Sequence, residues 1–134
     1  MMITPVATAT RALILFGSLA CAACGSGGSS TDTNPSSVGS AAATITITST
    51  GVSSKSVQVS PGSRVMFTNN DTRAHQMYSD PHPEHTDCPE FDQVGFLSPG
   101  QSRMTGNLNT TRTCGFHDHG EFENLSLRGS VVIR

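Results

Sequence analysis

From residue 44 onward, apolar residues tend to recur at every second position. Thr44-Ile45-Thr46-Ile47-Thr48 alternates a β-branched polar residue with isoleucine, the pattern of a half-buried strand. Val57 and Val59 alternate in the next run, Pro61-Gly62 supplies a turn, and Arg64-Val65-Met66-Phe67-Thr68 resumes an extended segment that Asn69-Asn70-Asp71 breaks. Gln93-Val94-Gly95-Phe96-Leu97 predicts a further strand, closed by Ser98-Pro99-Gly100. Residues 101–108 and 110–116 predict two more, and Ser130-Val131-Val132-Ile133 the last. No window of about twelve residues after position 44 carries a helical stripe. Roughly seven short strands separated by regular turn signals predict an all-β domain, a small sandwich.

The N-terminal part has a different character. Residues 12–23, ALILFGSLACAA, form an apolar run with Arg11 before it. A membrane-spanning helix needs roughly 20 apolar residues, so the run reads as the core of a secretory signal peptide, followed by small residues suited to cleavage. The stretch C-A-A-C-G-S-G-G-S-S resembles a bacterial lipobox. Cys24, preceded by Ala22 and Ala23 and followed by Gly and Ser, is the expected lipidation site. Cys21, after Leu19-Ala20, is the second choice, and a soluble secreted form is the alternative. Residues 25–43 contain a single apolar residue larger than alanine, Val38, and read as a flexible tether. The expected organisation is a signal peptide over 1–23, a lipidated cysteine and linker over 24–43, and a folded domain over 44–134. Such a protein sits in the bacterial cell envelope, lipid-anchored in the periplasm or at the surface, where disulfides persist.

Composition narrows the function. The chain has 134 residues, room for one domain. A net charge of −2, with eight basic residues that form no cluster, gives no reason to expect a nucleic-acid partner. There is no phosphate-binding glycine loop, no nucleophile elbow and no H-E-x-x-H; no enzyme is predicted. Three N-x-S/T matches, at Asn70, Asn109 and Asn124, are read as chance in a bacterial protein. A domain of about 90 residues buries only some 60–65% of its unfolded surface, so a disulfide or a metal matters to it.

The chemistry is concentrated in three segments: His75 after N-N-D-T-R-A, His82-Pro83-Glu84-His85-Thr86-Asp87-Cys88, and Cys114-Gly115-Phe116-His117-Asp118-His119. Thiolate and imidazole together suit copper or zinc. The C-x-x-H spacing, read as one tight loop, brings Cys114 and His117 together, and a histidine from an earlier strand completes a trigonal site. His82 and His85, in a proline-bounded polar loop, read first as exposed turn residues and second as ligands. His119 reads as a ligand or a neighbour of one, and Asp80, Asp87, Asp92 and Asp118 as orienting carboxylates or solvated ones.

In the order of its elements, the stretch from Thr44 to Arg134 resembles the cupredoxins, the blue (type 1) copper proteins. The matching pieces are S-P-G-S-R-V-M-F-T-N-N-D-T-R-A-H (60–75), L-S-P-G-Q-S (97–102), T-C-G-F-H (113–117) and R-G-S-V-V-I (128–133). The resemblance implies a Greek-key β-sandwich, copper held by His75, Cys114 and His117, and one-electron transfer with a redox partner protein. It departs from the family pattern in two places. Leu127 occupies the position of the usual axial methionine, so the axial donor is absent or borrowed from Met77, Glu121 or a backbone oxygen. Cys88 supplies a second cysteine, and a Cys88–Cys114 disulfide would remove the thiolate. The site would then consist of His75, His117 and His119 with His82 or His85, a histidine-only centre for copper capture and exchange with a copper donor or acceptor. A metal-free structural lipoprotein is the remaining reading.

Overall fold

The computed structural model describes residues 39–134. The expected signal peptide, the lipidation site Cys24 and most of the expected linker lie outside the described residues. Strand structure begins at Ala43, and the amide of Ala42 already donates to the Arg64 carbonyl (2.8 Å).

The strands are β1 (Ala43–Thr48), β2 (Gly51–Val52), β3 (Ser56–Val59), β4 (Val65–Asn69), β5 (His75–Ser79), β6 (Gly95–Leu97), β7 (Ser102–Met104), β8 (Arg112–Asp118) and β9 (Gly129–Ile133). They form two sheets, ordered β2-β1-β4-β7 and β3-β9-β8-β5-β6. The β1–β4 and β3–β9 pairs are parallel and the other pairs antiparallel. The alternation visible in the sequence sets the faces. Ile45 and Ile47 of β1 and Val65 and Phe67 of β4 point inward from one sheet. Met77, Cys114, Phe116, Val131 and Ile133 point inward from the other, and all are buried. At the centre, Phe67 meets Phe91 and Phe116 edge to face, with centroids 5.7 and 5.2 Å apart, a preferred aromatic geometry.

Several segments differ from the sequence expectation. Of the strand expected over 101–108, only Ser102–Met104 is extended, with Leu108 making an isolated bridge to Ser63. The strand expected at 93–97 is shorter, because Pro89 opens a single 3-10 segment over Pro89–Gln93 that drives Phe91 into the core, and extended structure starts only at Gly95. Conversely, His75-Gln76-Met77-Tyr78-Ser79 forms a strand despite lacking β-branched residues. Its own alternation places His75, Met77 and Ser79 inside, and it pairs on both sides, with β6 and β8. Tertiary pairing overrides weak propensity there.

The Cys88 and Cys114 sulfurs are bonded to each other, and both residues are fully buried. This disulfide ties the loop after β5 to the middle of β8 across 26 positions. In the chain-entropy model such a closure stabilises a domain by about 3–4 kcal/mol. Replacing both cysteines with serine is expected to lower the unfolding free energy by about that amount. Urea denaturation measures it, and a loss below about 1 kcal/mol would show that the bridge adds little to stability.

Candidate metal centre

β5 and β8 run antiparallel with Met77 opposite Asp118, Tyr78 opposite His117 and Ser79 opposite Phe116. Directly opposed residues share a sheet face, and neighbours along a strand alternate. Cys114, Phe116 and Asp118 therefore point into the sandwich with Met77, while His117 points out with Tyr78. The C-x-x-H spacing predicts one tight loop. Because 112–118 is one continuous strand, an odd spacing of three puts Cys114 and His117 on opposite faces.

The expected trio of His75, Cys114 and His117 is thus not brought together. Cys114 is oxidised to the disulfide with Cys88, and a cystine sulfur is not a thiolate. His75 is buried at the inner face, with Nδ1 2.6 Å from Asp118 Oδ2 and Nε2 3.2 Å from Asp71 Oδ2. Both its ring nitrogens are engaged by carboxylates. Asp118 also accepts from the amides of Gln76 (3.3 Å) and Gly120 (3.0 Å), and so holds the turn that follows β8. Burial pushes the Asp71 carboxyl up. Hydrogen bonds from His75 and from the Thr72 and Arg73 amides, with the Arg73 charge, outweigh that and leave it below its ordinary value. Met77 lies fully buried on the inner face, Leu127 is buried in the core, and Glu121 is bound to Arg73 at 2.6 Å. Met77 is on the sheet face opposite His117.

A different set converges on the outer face. One nitrogen each from His85, His117 and His119 can be chosen so that all lie within 4.8 Å of one another. Each arrives by a separate local device. His117 comes from β8 and is 1% exposed. His119 begins the 3-10 turn His119–Glu121, whose entry Asp118 caps. His85 comes from the 80–88 loop, which is stitched down at several points. The His85 amide donates to the Pro81 carbonyl (2.8 Å), the Asp87 amide to the Asp80 carbonyl (2.9 Å), and the Asp80 amide to the Gly115 carbonyl (3.0 Å). Ser79 Oγ donates to the His85 carbonyl (2.9 Å), and the disulfide fixes the end of the loop. Tyr78 stacks on the His85 ring at 4.5 Å between centroids.

The donor chemistry of this set fits a metal. His117 Nδ1 lies 2.7 Å from Asp80 Oδ1, while Nε2 is buried with no hydrogen-bond partner. A buried orphan ring nitrogen is costly, and one whose opposite nitrogen is held by a carboxylate is the usual arrangement of a metal-binding imidazole. His119 Nδ1 and His85 Nε2 are 3.1 Å apart. Partial burial, then the neighbouring His119, His117 and His82, lower the His85 pKa below its ordinary value. His82 is lowered likewise, by partial burial and then by His117 and His119. Both effects favour the neutral ring, the form that carries a lone pair for a metal. The histidine-only site expected from the sequence held His75, His117 and His119 with His82 or His85; the structure keeps His117 and His119, brings in His85 and leaves out His75. The signal for His85 is the disulfide choice itself, since bonding Cys88 to Cys114 draws the 82–88 segment toward the one that carries His117 and His119.

No protein-family model matches the chain, and no curated protein sequence does. Solved structures do match. A Cu(I) form of an amicyanin mutant superposes with a TM-score of 0.55 at 15% identity, over 73% of this chain and 87% of that one. The oxidised form of plastocyanin from Dryopteris crassirhizoma superposes with a TM-score of 0.52 at 18% identity, over 68% of this chain and 99% of that one. At such identity the likeness concerns backbone architecture, which agrees with the two sheets and their inward-facing core: the described part of the chain is an all-β sandwich of the cupredoxin fold.

Proposed function

We propose that this protein is an exported copper-binding module that captures and hands on the metal through a histidine-only site formed by His85, His117 and His119. The observation that carries the reading is the convergence of three imidazoles around the buried, unpartnered Nε2 of His117, with Cys114 locked in a disulfide. Copper is the preferred cargo because imidazole donors bind Cu(II) most tightly among the first-row divalent ions. The Cu(I) form of an amicyanin mutant has the same architecture. The N-terminal lipobox-like stretch supports a lipid-anchored protein of the cell envelope, and the partner is then a copper donor or acceptor protein. No catalytic role is proposed.

One-electron transfer is the second reading, and the fold favours it. It requires a free Cys114 thiolate. The two readings separate in one preparation of the purified protein loaded with Cu(II). Capture predicts weak ligand-field absorption and no titratable thiol. An intense thiolate-to-copper charge-transfer band, lost in Cys114→Ser, would replace capture with electron transfer, and a protein that binds no copper would leave only a structural role.

Gly115 supplies a second check. It faces outward beside Asp80, and a Cβ there would overlap the Asp80 carboxylate that orients His117. Gly115→Ala is expected to weaken copper binding about 10–100-fold, the usual cost of losing an orienting partner. Competition against a chelator measures this, and unchanged affinity would show that Asp80 does not orient the site.

A further inference from the structure

Beside the three converging rings lies a fourth. The His82 ring centroid is 4.7 Å from that of His119, 5.4 Å from His117 and 6.0 Å from His85. Its nitrogen does not belong to the converging trio. Instead the ring lies nearly parallel on Phe122, with centroids 4.1 Å apart and an interplanar angle of 11°. Phe122 is 42% exposed, and so stands at the rim of the site. Pro81 and Pro83 bracket His82 and restrict its backbone, so reaching the metal calls for rotation of the side chain. His82 thus rests on an aromatic face and lies beside the three rings that would hold a metal.

The two oxidation states of copper differ in how they would use it. Cu(II) favours a tetragonal set of nitrogen or oxygen donors. Cu(I), with a filled d shell, has no such electronic demand and is content with three donors. Resting on the histidine-only site proposed above, we propose that His82 determines oxidation-state selectivity: it completes a four-imidazole site around Cu(II) and returns to its stack on Phe122 when the site holds Cu(I). The three preorganised rings serve both states, and the exchange of His82 between metal and Phe122 favours Cu(II) alone.

The test compares the purified protein with His82→Ala and Phe122→Ala, measuring Cu(II) and Cu(I) affinities separately against competing chelators and recording the Cu(II) electron paramagnetic resonance spectrum. His82→Ala is expected to lose at least about tenfold in Cu(II) affinity, to change Cu(I) affinity less than about threefold, and to show a spectrum with one nitrogen fewer. The couple then moves positive by about 59 mV for each tenfold difference between the two losses. Phe122→Ala, which frees the ring from its stack, is expected to bind Cu(II) as tightly as the unmodified protein or more tightly. An unchanged spectrum in His82→Ala, equal losses for both oxidation states, or a Phe122→Ala variant that weakens Cu(II) as His82→Ala does would each overturn the role of His82 while leaving the three-histidine site standing. An unmodified protein that binds neither ion would remove the site itself and the inference with it.

Discussion

The two-residue period of β8 governs this molecule. In an unbroken strand from Arg112 to Asp118, every side chain is committed to one face of the sheet by its parity. Cys114, Phe116 and Asp118 face the interior, where they bridge to Cys88, pack on Phe67 and hold His75. Gly115 and His117 face the other way. A one-residue slip would exchange these sets, burying the His117 imidazole among phenylalanines and exposing the core. Pairing with β5 on one side and β9 on the other prevents that slip.

Around this strand, the disulfide and the Ser79 hydroxyl do complementary jobs. The disulfide pins the end of the 80–88 loop inside the sandwich, and Ser79 Oγ binds both the His85 carbonyl and the Cys88 amide (2.9 and 3.3 Å). The loop consequently folds back over the outer face and delivers His85 beside His117, with Asp80 reaching the other side of the same ring. Preorganisation of this kind lowers the ordering cost of binding. The absence of a Cβ at Gly115 leaves room for the Asp80 carboxylate.

At the inner end of β5, His75 illustrates a change of role. Its two carboxylate partners leave no nitrogen for a metal, and they link β5 to the β4–β5 loop through Asp71 and to the turn that carries His119 through Asp118. A buried charged or polar trio is tolerated because each member has partners. Arg73 extends the connection to Glu121, whose carboxyl falls below its ordinary value through the Asn124 hydrogen bond and the Arg73 charge, with burial opposing. Turn and strand are thereby held together at the end where His119 sits.

Much of the fold was legible in the sequence, because alternation, turn residues and the absence of a helical stripe are local properties that burial enforces directly. β1, β3, β4 and β9 fall where the isoleucine, valine and phenylalanine periods put them, and the histidine- and cysteine-bearing segments stood out as the place for chemistry. The sequence also narrowed the two cysteines of the folded part to a choice between thiolate and disulfide. Which histidines meet was a matter for tertiary structure alone. Side-chain parity in β8 depends on whether 112–118 is strand or loop, and β5, built from residues of weak strand propensity, exists through its pairing on both sides. Only when those strands are in register do Cys114 and His75 turn inward while His117, His119 and His85 turn toward one another, since a contact between residues about 30 positions apart follows from hydrogen-bond register, which no local spacing encodes.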